Sequence, residues 1–164
     1  MEKIYEAIVE IPMGTKNKYE IDKQRNRIKL DRVLYSPMTY PAEYGYIEET
    51  LAEDNDPLDI LVLASSKTFP GCIVDARVVG YLDMIDSGEP DQKIIGVMNN
   101  DPRFSHINEI TDIQEHTLRE IKHFFKTYKD LQQNKTVIVN EFHDKIDALE
   151  LIQICKRRYL GVKE

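Results

Sequence analysis

The chain has 164 residues, of which 41% are hydrophobic and 31% are charged, and its formal net charge is -7. This length allows one sizeable core, so we predict a single domain over residues 1–164. The negative charge argues against nucleic acid or an anionic membrane as a partner, because polyanion binding depends mainly on cationic side chains. Since no apolar run reaches 18 residues and Glu6 and Glu10 interrupt the N-terminal apolar residues, we expect no signal peptide, no transmembrane helix and a cytoplasmic location.

The first part of the chain predicts three strands, over residues 5–11, 18–22 and 27–34. On the second of these, Lys18 and Glu20 fall on one face because strand side chains alternate. Residues 35–46 contain Pro37, Pro41, Gly45 and four tyrosines. We interpret this stretch as an extended, turn-rich approach to the residues that follow, with Tyr35, Tyr40 and Tyr46 packing while their hydroxyl groups stay near the surface.

The next stretch places three carboxylates at the edge of a strand. Residues 54–59 read D-N-D-P-L-D, and the apolar run 60–63 follows at once. Several oxygen ligands fixed beside a rigid strand are typical of sites for hard cations such as Mg²⁺. A solvated Asx-rich turn is the alternative. A second acidic loop, residues 86–93, lies between predicted strands 73–83 and 93–98.

The last third of the chain predicts two helices. Asp112 and Glu115 have capping-box spacing, and apolar residues recur at helical spacing from Leu118 to Tyr128. A short strand over residues 136–140 precedes the second helix, residues 145–159. Strands followed by helices indicate an α+β fold, mainly β, with helices packed outside a barrel.

Cysteine and histidine carry no predicted chemistry. Cys72 and Cys155 are far apart in the sequence and do not form a disulfide framework, so we expect two partly buried thiols. No histidine has a metal-ligand spacing, and we expect the four of them to be surface or packing residues: His106, His116, His123 and His143.

Seven short motifs, in order and over nearly the whole chain, give a resemblance to a known family. They are E-I-P (10–12), K-Y-E-x-D (18–22), D-R (31–32), Y-P-x-x-Y-G-Y (40–46), D-x-D-P-x-D (54–59), D-x-x-x-x-D-x-K (86–93) and F-F-x-x-Y-K-D-L (124–131). The chain closely resembles the soluble family I inorganic pyrophosphatases. The resemblance implies a five-stranded OB-like barrel with flanking helices, and Mg-dependent hydrolysis of pyrophosphate to two orthophosphates. It also implies about three to four Mg²⁺ ions per active site and a homo-oligomer, with a hexamer favoured.

The resemblance also implies roles for individual residues. Asp56 matches the general base that accepts a proton from a metal-activated water. Ser87 departs from the family, whose members often have another acid there, so no metal contact is expected from that position. The implied metal ligands are Asp54, Asp59, Asp86, Asp91, Glu20 and, through water, Glu10, and the implied phosphate-binding groups are Lys18, Arg32, Tyr44, Lys93, Tyr128 and Lys129.

Charge supports this interpretation. Even without Glu10, the six other acidic candidates would outnumber the four basic ones, Lys18, Arg32, Lys93 and Lys129, and leave the pocket negative. Pyrophosphate would add roughly three to four further negative charges. Such an assembly requires divalent cations, because like charges about 4 Å apart repel strongly even when screened. The alternative is an OB-like nucleic-acid or calcium-binding module without turnover, which the net charge and the lack of aromatic residues in a basic groove make less favourable.

Overall fold

The computed structural model describes residues 3–161, so the first two and last three residues of the predicted domain lie outside the described residues. The strands and helices follow the predicted order, with two short additions. The strands are β1 (Ile4–Ile11), β2 (Asn17–Asp22), β3 (Arg27–Val33), β4 (Glu43–Ile47), β5 (Asp59–Leu63), β6 (Ile73–Asp86), β7 (Glu89–Pro90), β8 (Lys93–Met98) and β9 (Val137–His143), and the helices are α1 (Glu115–Thr127) and α2 (Lys145–Tyr159).

Five strands close into a barrel. Neighbouring strands pair in the order β1, β4, β5, β8, β6, and β6 pairs back with β1. The pairs are antiparallel except for β5 and β8, which are parallel. Strand β9 extends the sheet along β6, while β2 and β3 form a separate hairpin. The predicted five-stranded, OB-like barrel with flanking helices is confirmed.

Strand β4 was not predicted, because its proline- and tyrosine-rich approach looked irregular. It lies between β1 and β5 and is almost entirely buried. Gly45 is required here by close approach rather than by a turn: a Cβ atom at this position would lie 1.8 Å from the backbone oxygen of Ile8. The glycine therefore allows β1 and β4 to pair closely.

Both faces of β5 are buried, which explains its unbroken apolar sequence. Leu61 and Leu63 belong to a core cluster that also contains the apolar stripe of α1. Ile60 and Val62 belong to a second cluster, against which α2 packs. The two helices thus cover two different cores that share this strand.

The second acidic loop is a tight hairpin. Strand β6 continues to Asp86, beyond the predicted end, and pairs with β7. Ser87 and Gly88, which connect them, have φ angles of 52° and 84°. Two successive positive φ angles are typical of the turns that best match the twist of paired strands. This turn brings Asp86 close to Asp91 at one end of the barrel.

The predicted capping box at the start of α1 is wrong. The Asp112 carboxylate accepts hydrogen bonds from the backbone N–H groups of Asn108 and Glu109, at 2.9 and 3.0 Å. Its acceptor is therefore used in the 3-10 turn Ile110–Asp112, and α1 begins only at Glu115.

Other sequence expectations have mixed outcomes. Both cysteines are free thiols, and Cys72 is partly buried, as expected, whereas Cys155 is fully buried. Tyr40 is buried, but Tyr35 is 66% exposed, so packing was the wrong expectation for it. Residues 3–161 contain no helix that is both long and apolar enough to cross a membrane.

Candidate active site

A cavity of about 420 Å³ opens at the end of the barrel where the acidic turns lie. It is bordered by the end of β1, the base of the β2–β3 hairpin, β4, the acidic loop (defined here as residues 48–58), the β6–β7 turn, the start of β8 and the segment after α1. Twelve of the thirteen predicted site residues line it: Glu10, Lys18, Arg32, Tyr44, Asp54, Asp56, Asp59, Asp86, Asp91, Lys93, Tyr128 and Lys129.

Glu20 is the predicted residue that the structure does not bring to the cavity lining. It lies two residues beyond Lys18 toward the tip of the hairpin and is exposed. Two residues of strand correspond to about 7 Å, which places its backbone further from the barrel. Its predicted metal contact stays a prediction.

Sequence reasoning missed five polar residues of the lining, namely Lys16, Tyr35, Tyr40, Tyr46 and Gln132. Tyr40 stood within a recognised motif, and Gln132 lies three residues after Lys129. No motif marked Lys16, which reaches the cavity because its segment runs beside the end of β3. With Lys16 included, six acidic and five basic side chains line the cavity.

Lys93 connects three of the predicted site residues. Its Nζ donates to Asp59 Oδ2 at 2.6 Å, to Asp91 Oδ1 at 2.8 Å and to the Tyr44 hydroxyl at 3.0 Å. Lys93 is 2% exposed. Burial alone would lower the pKa of this ammonium, but the charge of Asp59, followed by Tyr44 and Asp91, raises its pKa well above the usual range. Lys93 is therefore a permanent positive charge in the cavity floor.

A second basic group, Lys129, follows the end of α1. Lys129 Nζ donates a short hydrogen bond to Asp86 Oδ2. Burial raises the pKa of the Asp86 carboxyl, but the hydrogen bond and charge of Lys129, with the Ser87 hydroxyl, outweigh burial and hold it below its usual value. The predicted metal ligand and the predicted phosphate-binding lysine are thus paired with each other.

The acidic loop presents Asp54 and Asp56 to the same cavity. Between them, Asn55 adopts a left-handed conformation with φ 67°. The backbone N–H of Asp56 donates to Asp54 Oδ1 at 3.1 Å. The pKa of Asp54 is raised, first by burial and then by the nearby charges of Asp91 and Asp59, which outweigh the hydrogen bond from Asp56. Asp91 also has a raised pKa, mainly because it is buried.

The β2–β3 hairpin contributes two basic side chains to the cavity lining, Lys18 and Arg32. Lys18 and Arg32 are direct cross-strand partners of β2 and β3. Lys18 Nζ lies 4.0 Å from Glu10 Oε2, and burial raises the pKa of Glu10 despite this lysine. The hairpin therefore adds two basic side chains to the cavity lining, beside Glu10.

Aromatic rings fix the floor. Tyr40 contacts the rings of Tyr44 and Phe124, with centroids 5.0 and 4.6 Å apart, and Tyr128 packs edge-on against Phe125 at 5.3 Å. Burial raises the pKa of Tyr40 to about 12, and burial also raises the pKa values of Tyr44 and Tyr128 above the usual range. These hydroxyl groups stay protonated at neutral pH and can donate to an anion.

The carboxylate oxygens that line the cavity are suitable ligands for a hard divalent cation. Asp59 and Asp91 contact the same ammonium nitrogen, and the charges of Asp54, Asp59 and Asp91 influence one another. Among residues 3–161, no three Asp, Glu, His or Cys side chains converge tightly enough to ligate one ion as they stand. Carboxylate oxygens gathered in one cavity are nevertheless the ligands that Mg²⁺ takes.

Comparison with known proteins agrees with this chemistry. Residues 7–160 match the family model described as inorganic pyrophosphatase. The chain belongs to the inorganic pyrophosphatase family. An inorganic pyrophosphatase of Halalkalibacterium halodurans is 58% identical over 159 residues, which cover 97% of each chain. The crystal structure of the Thermus thermophilus inorganic pyrophosphatase superposes with a TM-score of 0.92 at 46% identity, covering 97% of this chain and 92% of that one.

A structural relative of lower sequence identity was solved with pyrophosphate bound. The truncated vacuolar soluble pyrophosphatase of Trypanosoma cruzi, solved in complex with pyrophosphate, superposes with a TM-score of 0.88 at 26% identity, covering 98% of this chain and 70% of that one. Membership of the pyrophosphatase family confirms the resemblance stated from the motifs. It also makes the chain an enzyme, an inorganic diphosphatase.

Proposed function

We propose that the chain hydrolyses inorganic pyrophosphate to two orthophosphates with Mg²⁺ as cofactor, in the cavity at the end of the barrel. The observation that carries the proposal is the convergence of six acidic and five basic side chains on this one cavity. The pyrophosphate bound in the Trypanosoma cruzi relative supports the choice of substrate. We propose about three to four Mg²⁺ ions per site, the number that the family resemblance implies. The excess of negative charge on the carboxylates and pyrophosphate over the lysines and arginine supports a need for divalent cations.

Asp54, Asp59, Asp86 and Asp91 are the proposed direct ligands of Mg²⁺, with Glu10 acting through water and Glu20 holding an ion nearer the hairpin. When bound, Mg²⁺ neutralises phosphate charge and lowers the pKa of the attacking water. Asp59 and Asp91 are preorganised for this role, because Lys93 holds one oxygen of each on a single nitrogen.

Asp56 is the proposed general base. The acidic loop presents its carboxylate at the cavity, and the hydrogen bond from its own N–H to Asp54 fixes the turn on which it stands. In this position Asp56 can take the proton of the water that attacks phosphorus. Phosphoryl transfer depends mainly on positioning and charge stabilisation, so one well-placed base is sufficient.

The basic and phenolic groups are the proposed phosphate ligands. Arg32 and Lys18 approach from the hairpin, and a guanidinium can grip two phosphate oxygens at once. Lys93 and Tyr44 approach from the floor, while Tyr128 and Lys129 approach from the end of α1. Because these groups surround the cavity, both phosphoryl groups can be held while the bridging bond breaks.

We also propose that the chain acts in the cytoplasm as one domain, assembled into a homo-oligomer with a hexamer favoured, and that neither nucleic acid nor a membrane is a partner. The family-model match over residues 7–160 supports one functional unit. Sedimentation velocity in neutral buffer with Mg²⁺ measures the assembly, and a monomeric species at micromolar concentration would contradict the oligomer.

Phosphate release from pyrophosphate, with and without Mg²⁺, tests the function. The native chain should release phosphate only with Mg²⁺. Asp56→Asn should lower kcat by roughly 100- to 10,000-fold, as expected when a general base is lost, while retaining Mg²⁺ binding. Asp75→Asn, an exposed change on β6 away from the cavity, is the matched control and should keep full activity. Binding of the ligands without turnover by the native chain would refute the proposal, and full activity in Asp56→Asn would refute the assigned base.

A further inference from the structure

Hydrogen bonds within the acidic loop stabilise its conformation, in addition to the turn at residues 54–56. Thr50 Oγ1 donates to Ile47 O at 2.5 Å and accepts from the Leu58 N–H at 2.9 Å. The Ala52 N–H donates to Asp56 O at 2.8 Å. These bonds set the shape of the loop, but the loop also needs an anchor that fixes its place relative to the rest of the cavity.

The last turns of α2 supply such an anchor. The Leu51 N–H donates to Cys155 O at 3.0 Å, and Arg158 Nη1 donates to Leu51 O at 2.9 Å. One residue of the acidic loop is therefore bonded on both sides to a helix more than 100 positions away in the sequence. Arg158 Nη2 also lies 4.0 Å from Glu53 Oε1.

The contact between loop and helix is partly buried. The Arg158 side chain is 27% exposed, while Cys155 and Ala52 are 1% and 7% exposed and share a core cluster with Leu58. Burial raises the pKa of the Cys155 thiol to about 11, with Glu53 and Asp54 adding to the rise and Arg158 opposing it. Asp54 is thus close enough to the end of α2 for its charge to affect Cys155.

From these contacts we infer that Arg158 is a positioning residue for Asp54 and Asp56, acting through Leu51 and Glu53. This inference rests on the proposed function, in which Asp54 ligates Mg²⁺ and Asp56 accepts a proton. The guanidinium suits the task because its planar fork can donate to a backbone carbonyl and approach a carboxylate simultaneously. Groups that orient metal ligands in this way commonly control metal affinity without contacting the metal.

The direction in which Mg²⁺ affinity changes when Arg158 is replaced distinguishes a positioning role from a purely electrostatic one. Removing a positive charge near Asp54 would, by electrostatics alone, tighten Mg²⁺ binding. Loosening the acidic loop would weaken Mg²⁺ binding and lower kcat, because both carboxylates would lose their preferred geometry. A merely structural role would lower the unfolding temperature and leave both quantities unchanged in the folded protein.

The test compares Arg158→Met and Arg158→Lys with Arg157→Met, an exposed neighbour in the same helical turn. Isothermal titration calorimetry of the full chain with Mg²⁺ alone should show roughly 10-fold weaker binding in Arg158→Met. We expect a kcat loss of similar size and a smaller change in KM. Arg158→Lys should lie between Arg158→Met and the native chain, because an ammonium keeps the charge but not the fork, and Arg157→Met should match the native chain.

Two results would overturn the inference: Arg158→Met binding Mg²⁺ as tightly as Arg157→Met, or more tightly. If Arg158→Met proves too unstable to study, Arg158→Lys carries the test, and native Mg²⁺ affinity together with native kcat in that variant counts against positioning. Failure of the proposed function is separate, since it would appear as a native chain that does not release phosphate.

Discussion

Replacing Lys93 with methionine removes an ammonium that contacts Asp59, Asp91 and Tyr44 at 2.6 to 3.0 Å. Methionine can occupy the space beside the rings of Tyr44 and Phe125, which lie 5.4 and 5.8 Å from Nζ. The change therefore leaves volume nearly constant and deletes a buried charge. Removing one partner of a buried ion pair typically costs about 3 to 5 kcal/mol, because the remaining charge is uncompensated. We expect a loss near 3 kcal/mol at pH 7.5 without metal.

This loss should depend on pH. The folded-state pKa of Asp91 is raised by burial even with Lys93 present, and it should rise further when the lysine is gone. A raised carboxyl pKa means that the destabilisation is largest above the folded pKa and disappears as pH falls toward the unfolded value of about 3.9. Lys93, with its own pKa raised, stays charged in the native chain throughout this range. The stability gap between variant and native chain should therefore shrink to less than about half at pH 5.

Urea unfolding in EDTA, followed by circular dichroism at pH 7.5 and pH 5, measures both effects. Protein concentration is kept constant, because self-association adds to apparent stability. Lys129→Met is the matched control: its ammonium also pairs with a carboxylate, that of Asp86, but is 21% exposed, so its loss should cost only about 1 kcal/mol. Equal losses in the two variants, or a Lys93→Met loss that does not change with pH, would refute the reasoning.

Two further outcomes are expected. Gly45→Ala should prevent folding or lower unfolding free energy by at least about 3 kcal/mol, since the new Cβ would meet a backbone oxygen of β1 at 1.8 Å; a native-like urea midpoint would contradict this close approach. Cys155, whose pKa is raised to about 11 by burial, should resist iodoacetamide at pH 8 in the native chain and react once the chain is unfolded, whereas the partly exposed Cys72 should react in both states. Mass spectrometry of the alkylated chain distinguishes the two cysteines. Rapid alkylation of Cys155 in the native chain would contradict its burial.

Local pattern was sufficient for most strands and for both helices. The alternation in β1 and the helical spacing of Ile121, Phe125 and Tyr128 depend on which residues face a core, and that periodicity is written in the sequence itself. The acidic composition of residues 54–59, followed by the apolar strand β5, likewise predicted carboxylates at a barrel edge. Motif resemblance then connected these carboxylates with basic residues elsewhere in the chain.

Tertiary structure decided what depends on contact between distant segments. Gly45 looked like a turn residue, yet the approach of β1 makes it part of a central strand. Lys16, which no motif marked, lines the cavity, whereas the predicted ligand Glu20 does not, since position along a hairpin does not show which side chain reaches a pocket. The bond from Arg158 to Leu51 spans 107 residues. Short-range spacing determines which elements form and which residue types are available, whereas the packing of those elements determines which charges meet.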